Sequence, residues 1–232
     1  MKFFGKFLDG IQSVYFNFHY LPLKQAIKLP IILHRASLVD VKGKVRIESN
    51  NIYRGMIHLG SYGVCLYPDH GIVWQNHGGT VIFQGKAVIG SASVLSINKH
   101  AEIVFGNDFR NTAALRLVAS RKISFGRTVS LGWNTMIMDT NMHPLKNRLT
   151  DKRSSGGAPI EIGNYCWIST NSIVLPGVHM PERVICALGS LVTRGIEYES
   201  WCMYGGSPIK KLKENIYRDF DDDEDETVYD IK

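Results

Sequence analysis

Apolar residues recur along this chain with a step of six. From Ile162 the step lands on Ile168, Val174, Met180, Cys186 and Val192. Upstream it lands on Phe125, Leu131 and Ile137, and earlier on Phe83, Ile89 and Leu95. A β-strand turns alternate side chains to opposite faces, so a six-residue unit of short strand plus turn returns the same side chain inward each time. Three such units close a triangular coil, and coils stack about 4.8 Å apart. Helical repeat arrays have longer periods, about 33 residues or more. A flat sheet shares the two-residue alternation but would not hold one phase from 162 to 192. The pattern therefore predicts an all-β chain wound as a parallel β-helix. Glycine follows the marked position at Gly90, Gly106, Gly126, Gly132 and Gly163, where a small residue is expected to permit a tight corner.

The breaks in phase carry information too. The runs 83–95 and 105–117 are offset by ten residues, and 117 to 125 by eight, so extra residues must bulge at corners. The largest break separates the stretch ending at His143 from Ile162. It contains a polar, Gly- and Ser-bearing segment, which predicts a loop expelled from the coil over 145–159. At the N-terminal side, 15–33 is aromatic, basic and twice interrupted by proline. It predicts a short helix over 22–28 between extended pieces, suited to cap the open end of the coil, with contact to the inner face of a membrane as the sharper alternative. Residues 208–218 predict a closing basic helix. The organisation expected is a cap segment at 1–40, the β-helix at 41–207, and a helix with an acidic tail at 208–232.

Composition narrows the function classes. The chain of 232 residues is 44% apolar, which is ordinary for a globular protein with one good core. No apolar run reaches the length of a membrane span, and the N-terminal stretch does not read as a secretory signal. Cys65, Cys166, Cys186 and Cys202 lack the CxxC spacing of metal or redox motifs, which points to reduced thiols in a cytoplasmic protein. Net charge is +6, but residues 219–226 carry seven acids, so the remainder carries +13. Such a basic body suits an anionic membrane, a phosphorylated small molecule or nucleic acid. No nucleic-acid-binding motif is visible, and no nucleic-acid partner is expected. His58, His70, His77, His100 and His179 do not fall in one phase as a convergent set, so no metal site is predicted.

Four segments, IMDTNMHP (137–144), PIEIGNYCWISTNSIVLPGV (159–178), VICALGSLVTRGI (184–196) and GGSPIKKLK (205–213), resemble the hexapeptide-repeat acyltransferases. The branch is that of the maltose and galactoside O-acetyltransferases and the acetyltransferases of capsule and lipopolysaccharide sugars. Trp167, Leu175-Pro176-Gly177, Gly189-Ser190 with Thr193, and the terminal Gly-Ser-Pro-x-Lys carry the match. It covers 83–213 and is weak over 1–80. The resemblance implies a left-handed parallel β-helix with short helical or irregular caps, acetyl-CoA as donor, a saccharide acceptor, and a homotrimer with sites shared between subunits. Outward apolar residues such as Trp133, Met136 and Met138 would need the cover that a trimer supplies.

His143 stands six residues after Ile137, where the period calls for an apolar side chain, and Pro144 restricts its backbone to extended geometry. Transfer of an acetyl group to a hydroxyl needs a base that works near neutrality, and imidazole suits that task. The resemblance implies that His143 is this base. It places Asp139, Asn141 and Trp167 at the acceptor, and Thr170, Leu188, Thr193, Arg194 and Lys210 along the coenzyme A. Asp139 and Asn141 also read as plain turn chemistry. Two other functions fit the residues: N-acylation of an amino sugar, and a non-catalytic β-helix scaffold.

Overall fold

The computed structural model describes residues 2–63 and 67–220. Cys65 and most of the acidic stretch 219–226 lie outside them. Among the described residues, twenty-two short strands form three sheets that are the three faces of a prism. The first face has nine strands, from Ile31–Leu33 to Lys210–Lys213; the second has seven, from Ser37–Val41 to Leu191–Val192; the third has six, from Lys44–Ile47 to His179–Met180. Successive strands visit the faces in turn as far as Leu191–Val192, the last two strands both lie on the first face, and every pairing is parallel except that of these last two.

The period of six maps onto one inward column per face. On the third face the column is Ile47, Phe83, Phe105, Phe125, Ile162 and Met180. On the second it includes Trp74, Leu95, Leu117, Ile137, Val174 and Val192. On the first it runs Leu33, Leu59, Ile89, Asn111, Leu131, Ile168, Cys186 and Tyr204. Asn111 breaks the apolar rule and is satisfied where it is buried: its Oδ1 accepts from the Gly90 N–H and the Ser93 hydroxyl at 3.3 Å, and its Nδ2 donates to Ala113 and Gly132 carbonyls. Buried polar groups stay in cores on that condition. The phase continues past Val192 to the buried Tyr198 and Tyr204. Cys166, Cys186 and Cys202 are free and buried, and burial pushes the Cys166 thiol up to about 12.

The phase breaks of ten and eight residues, and the largest one, all fall between the second and third faces. From Phe83 onward this one corner absorbs the variation in coil length. The glycines do something other than turn the chain. A Cβ on Gly106 would collide with the backbone of Gly126, one on Gly126 with Asn164, one on Gly163 with Pro181. They permit close stacking of coils. At most of these corners the left-handed residue is instead a non-glycine: Ala92, Ala114, Asn134 and Asn171 between the first and second faces, where Gly189 takes the place in a later coil, and Asp108, Thr128, Tyr165, Arg183 and Trp201 between the third and first, the non-glycines having φ from 51° to 63°. That backbone region is disfavoured for side-chain-bearing residues, most of all for a β-branched one such as Thr128.

Both ends differ from the sequence expectation. Residues Lys2–Tyr20 form a long helix, α1, and the helix predicted over 22–28 shrinks to α2, Leu23–Ala26. The coil begins at Ile31, not at 41, because Ile31–Leu33 pairs with Ile57–Leu59. The period hides there, since Leu33, Leu59 and Ile89 are separated by long connections. α1 lies across the open edge of the first coil and buries Ser13, Phe16 and Asn17. The Asn17 side chain donates to the Ile31 carbonyl at 2.7 Å and accepts from the Ile31 N–H at 3.1 Å; Ser13 Oγ accepts from the Leu33 N–H at 2.9 Å. Phe16 packs edge-on against Trp74. Side chains of α1 therefore replace the missing strand. Asn17→Leu is expected to lower stability by about 3 kcal/mol, because it strands a buried N–H and C=O; urea denaturation measures it, and a loss below about 0.5 kcal/mol would refute the capping role.

At the other end the helix expected over 208–218 is absent. Lys210–Lys213 is a strand antiparallel to Met203–Gly205. The edge of the first face offers unpaired backbone groups, and the turn through Gly206 at φ +98° folds the chain back onto it.

Candidate active site

The corner between the second and third faces builds the site. After the strand Met136–Met138 the chain leaves the prism at Thr140 and returns at Gly157, a pair bridged antiparallel. A second bridge, Lys146 with Arg153, and bonds from Asn147 N–H to the Lys152 carbonyl and from Ser154 N–H to the Leu145 carbonyl make the excursion a two-stranded arm. The arm spans 141–156, so it starts four residues earlier than the loop expected at 145–159. Asn147 Oδ1 caps its tip by accepting from the Leu149 and Thr150 N–H groups at 2.9 Å. Leu149 at the tip is 92% exposed.

His143 therefore does not occupy an inward coil position. It sits exposed at the base of the arm, its N–H bonded to the Asn141 carbonyl at 2.6 Å. The period reached it by arithmetic, but the chain has already left the prism. Asp139 remains in the prism and is fully buried. Its two carboxylate oxygens accept from the Ser120 and Arg121 N–H groups, each at 2.7 Å. Burial pushes its carboxyl above the usual range, against the opposing pull of those donors. The carboxylate thus binds the corner of the coil below, and Asp139 is not among the residues that line the cleft described next.

A cleft of about 260 Å³ opens beside the arm. Its walls are Asn141 and Ser154–Gly157 from the arm, Leu175 and Pro176 from the next coil, and Thr193 and Arg194 from the one after. Three consecutive turns of one corner converge there. Gly177, at φ +82°, keeps the middle turn tight, and a Cβ on it would press on Ala158 and on the Arg194 side chain at 3.3 Å. Of the residues expected from sequence, Asn141, Thr193 and Arg194 line this cleft, and His143 stands two residues from Asn141. The arm residues Ser154 to Gly157 were not singled out; the Gly156-Gly157 pair, where the arm rejoins the prism, was the available signal.

The other expected residues lie elsewhere on the chain. Thr170 and Leu188 belong to the corner between the first and second faces. Thr170 is buried against Gly132, while Leu188 is exposed. Lys210 lies on the edge strand of the first face. Trp167, also on the first face, does not wall the cleft: the Arg218 guanidinium lies over its ring at 4.9 Å and donates to Ser130 Oγ at 2.8 Å. No set of three His, Cys, Asp or Glu side chains is placed to hold a metal among the described residues.

No protein-family profile matches the chain. Sequence relatives do exist. It is 27% identical over 119 residues to the galactoside O-acetyltransferase of Escherichia coli K12, covering 51% of this chain and 57% of that one. It is 33% identical over 92 residues to the galactoside O-acetyltransferase of Lactococcus lactis, covering 40% and 44%. Over that part of its length the chain is similar in sequence to sugar acetyltransferases. It spans about half the length of the curated relatives it matches. The crystal structure of the polySia-specific acetyltransferase NeuO superposes with a TM-score of 0.51 at 20% identity, over 79% of this chain and 82% of that one. This likeness shows the fold, a left-handed parallel β-helix.

Proposed function

We propose that this chain transfers an acetyl group from acetyl-CoA to a hydroxyl of a sugar or saccharide, with His143 as general base. The observation that carries the reading is the cleft itself: the arm that carries His143 at its base places Asn141 in one wall, and Thr193 and Arg194 stand in another. The imidazole of His143 takes the hydroxyl proton as the acceptor oxygen attacks the thioester carbonyl. The tetrahedral intermediate collapses with release of the thiolate, which receives that proton. Coenzyme A is too large for about 260 Å³, so the cleft takes its reactive end. Arg194, exposed at the rim, supplies positive charge toward the phosphates.

A homotrimer accounts for the remaining placements. Met136, Ile173 and Leu191 form an outward apolar column on the second face, beside the cleft. The apolar Leu149 stands at the arm tip. In a symmetric assembly the corner bearing Thr170 and Leu188 of one chain can meet the cleft of the next, which joins residues that a single chain keeps apart.

The test is a panel of sugars and oligosaccharides incubated with acetyl-CoA, with free thiol as the readout. A base-labile ester product supports O-acetylation, an amide product supports the amino-sugar alternative, and no thiol release across the panel with no binding of acetyl-CoA sinks both. Arg194→Glu is expected to weaken acetyl-CoA binding about tenfold, with raised salt reproducing part of the loss in the unsubstituted protein. Calorimetry showing equal affinity would remove Arg194 from the donor site.

A further inference from the structure

α1 has its polarity reversed. Of its described side chains that are buried, Ser13 and Asn17 are polar and serve the first strand, and the third is Phe16. Its outward stripe is Phe7, Ile11, Val14 and Phe18, with Leu8 and Tyr15 beside it, all 44–61% exposed. α2 extends the same end with the exposed Leu23 and Ile27. An apolar groove of about 730 Å³ runs between α1 and the first strand, with Leu29 and Ile32 in its floor and Arg54 in its wall. A surface of this size and character on one end of a molecule marks a contact.

The charge around it selects the partner. Residues 1–47 hold eight Lys and Arg against two Asp. Both acids are engaged within the protein: Asp9 accepts from the Arg35 N–H, and Asp40 is paired with Lys42 and His77. Two copies meeting end to end would oppose two basic faces, which disfavours self-association. No helix among the described residues is long and apolar enough to cross a membrane, and Ser13 and Asn17 hold α1 against the prism. An exposed apolar and aromatic stripe on a helix held against the prism, with the exposed Lys24 on α2 and Arg54 in the groove wall, matches the physics of an interfacial anchor.

We propose that the α1 end of the prism docks on an anionic bilayer surface, with the Phe7–Phe18 stripe entering the headgroup layer and Lys24 and Arg54 meeting lipid phosphates. This stands apart from the catalytic reading and does not depend on it. The experiment is co-sedimentation of the full chain with phosphatidylglycerol-containing vesicles and with pure phosphatidylcholine vesicles. Binding to the anionic vesicles is expected to be about tenfold stronger than to the neutral ones and to fall with salt. Ile11→Glu with Phe18→Glu should reduce it about tenfold without lowering the melting temperature, since both side chains are exposed. Lys24→Glu with Arg54→Glu should reduce binding to the anionic vesicles only. Equal partitioning of the chain and the Ile11/Phe18 variant, or no binding to either vesicle, overturns the proposal. So does concentration-dependent dimerisation without lipid that the same variant abolishes, which would assign the stripe to a second copy.

Discussion

His143→Ala is expected to lower kcat by about a hundredfold or more while leaving the affinity for acetyl-CoA nearly unchanged. The side chain is exposed, so its removal opens no cavity and the melting temperature should hold. That separates chemistry from folding in one variant. Asn141, two residues away and lining the cleft, provides the contrast: Asn141→Ala should act through acceptor KM more than through kcat. Steady-state kinetics with acceptor and donor varied separately reads both. A fall below about threefold for His143→Ala would take the histidine out of the reaction and return the cleft to a binding role.

Phe105→Ala is expected to cost about 3–5 kcal/mol. Phe83, Phe105 and Phe125 stack in one column on the third face, with ring centroids 5.1 and 5.5 Å apart, and Phe109 leans on Phe105 at 4.7 Å. Truncating the middle ring removes partners from the coils above and below at once. In a stacked repeat each coil is stabilised only by its neighbours, so the lesion should divide the prism rather than soften it evenly. Guanidinium denaturation should show a lowered midpoint and, if the two halves then melt separately, a second transition. Phe105→Leu, which keeps most of the volume, should cost under about 1.5 kcal/mol. Equal costs for the two substitutions would mean that packing in this column is not what the midpoint reports.

The coil from Phe83 to Val192 was legible because the step of six holds across two of the three corners and breaks only between the second and third faces. Tyr198 and Tyr204 kept the same phase, and polarity at the hydroxyl made them easy to pass over. The ends were not legible, for a different reason in each case. α1 buries Ser13 and Asn17 and exposes its apolar stripe, so the usual sign of an amphipathic helix points the wrong way. Lys210–Lys213 became a strand because an open sheet edge offered partners, which is a property of the neighbours and not of the four residues. The site was legible in part. Thr193, Arg194 and Asn141 share one corner, whereas Asp139 was claimed by backbone N–H groups from the coil below, a contact 18 residues away in sequence that no local pattern displays.

From Phe83 onward the changes in coil length gather at one corner, and the cleft occupies that corner only in the fifth to seventh coils, while α1 closes the first. With coils about 4.8 Å apart, the cleft stands roughly 20–30 Å above the helical end. This height is rigid and comes in whole steps, because altering it requires adding or deleting an entire coil. A molecule standing on its α1 end would measure its acceptor like a gauge: a single sugar held at the bilayer falls short of the cleft, and a saccharide chain long enough to climb the prism reaches it.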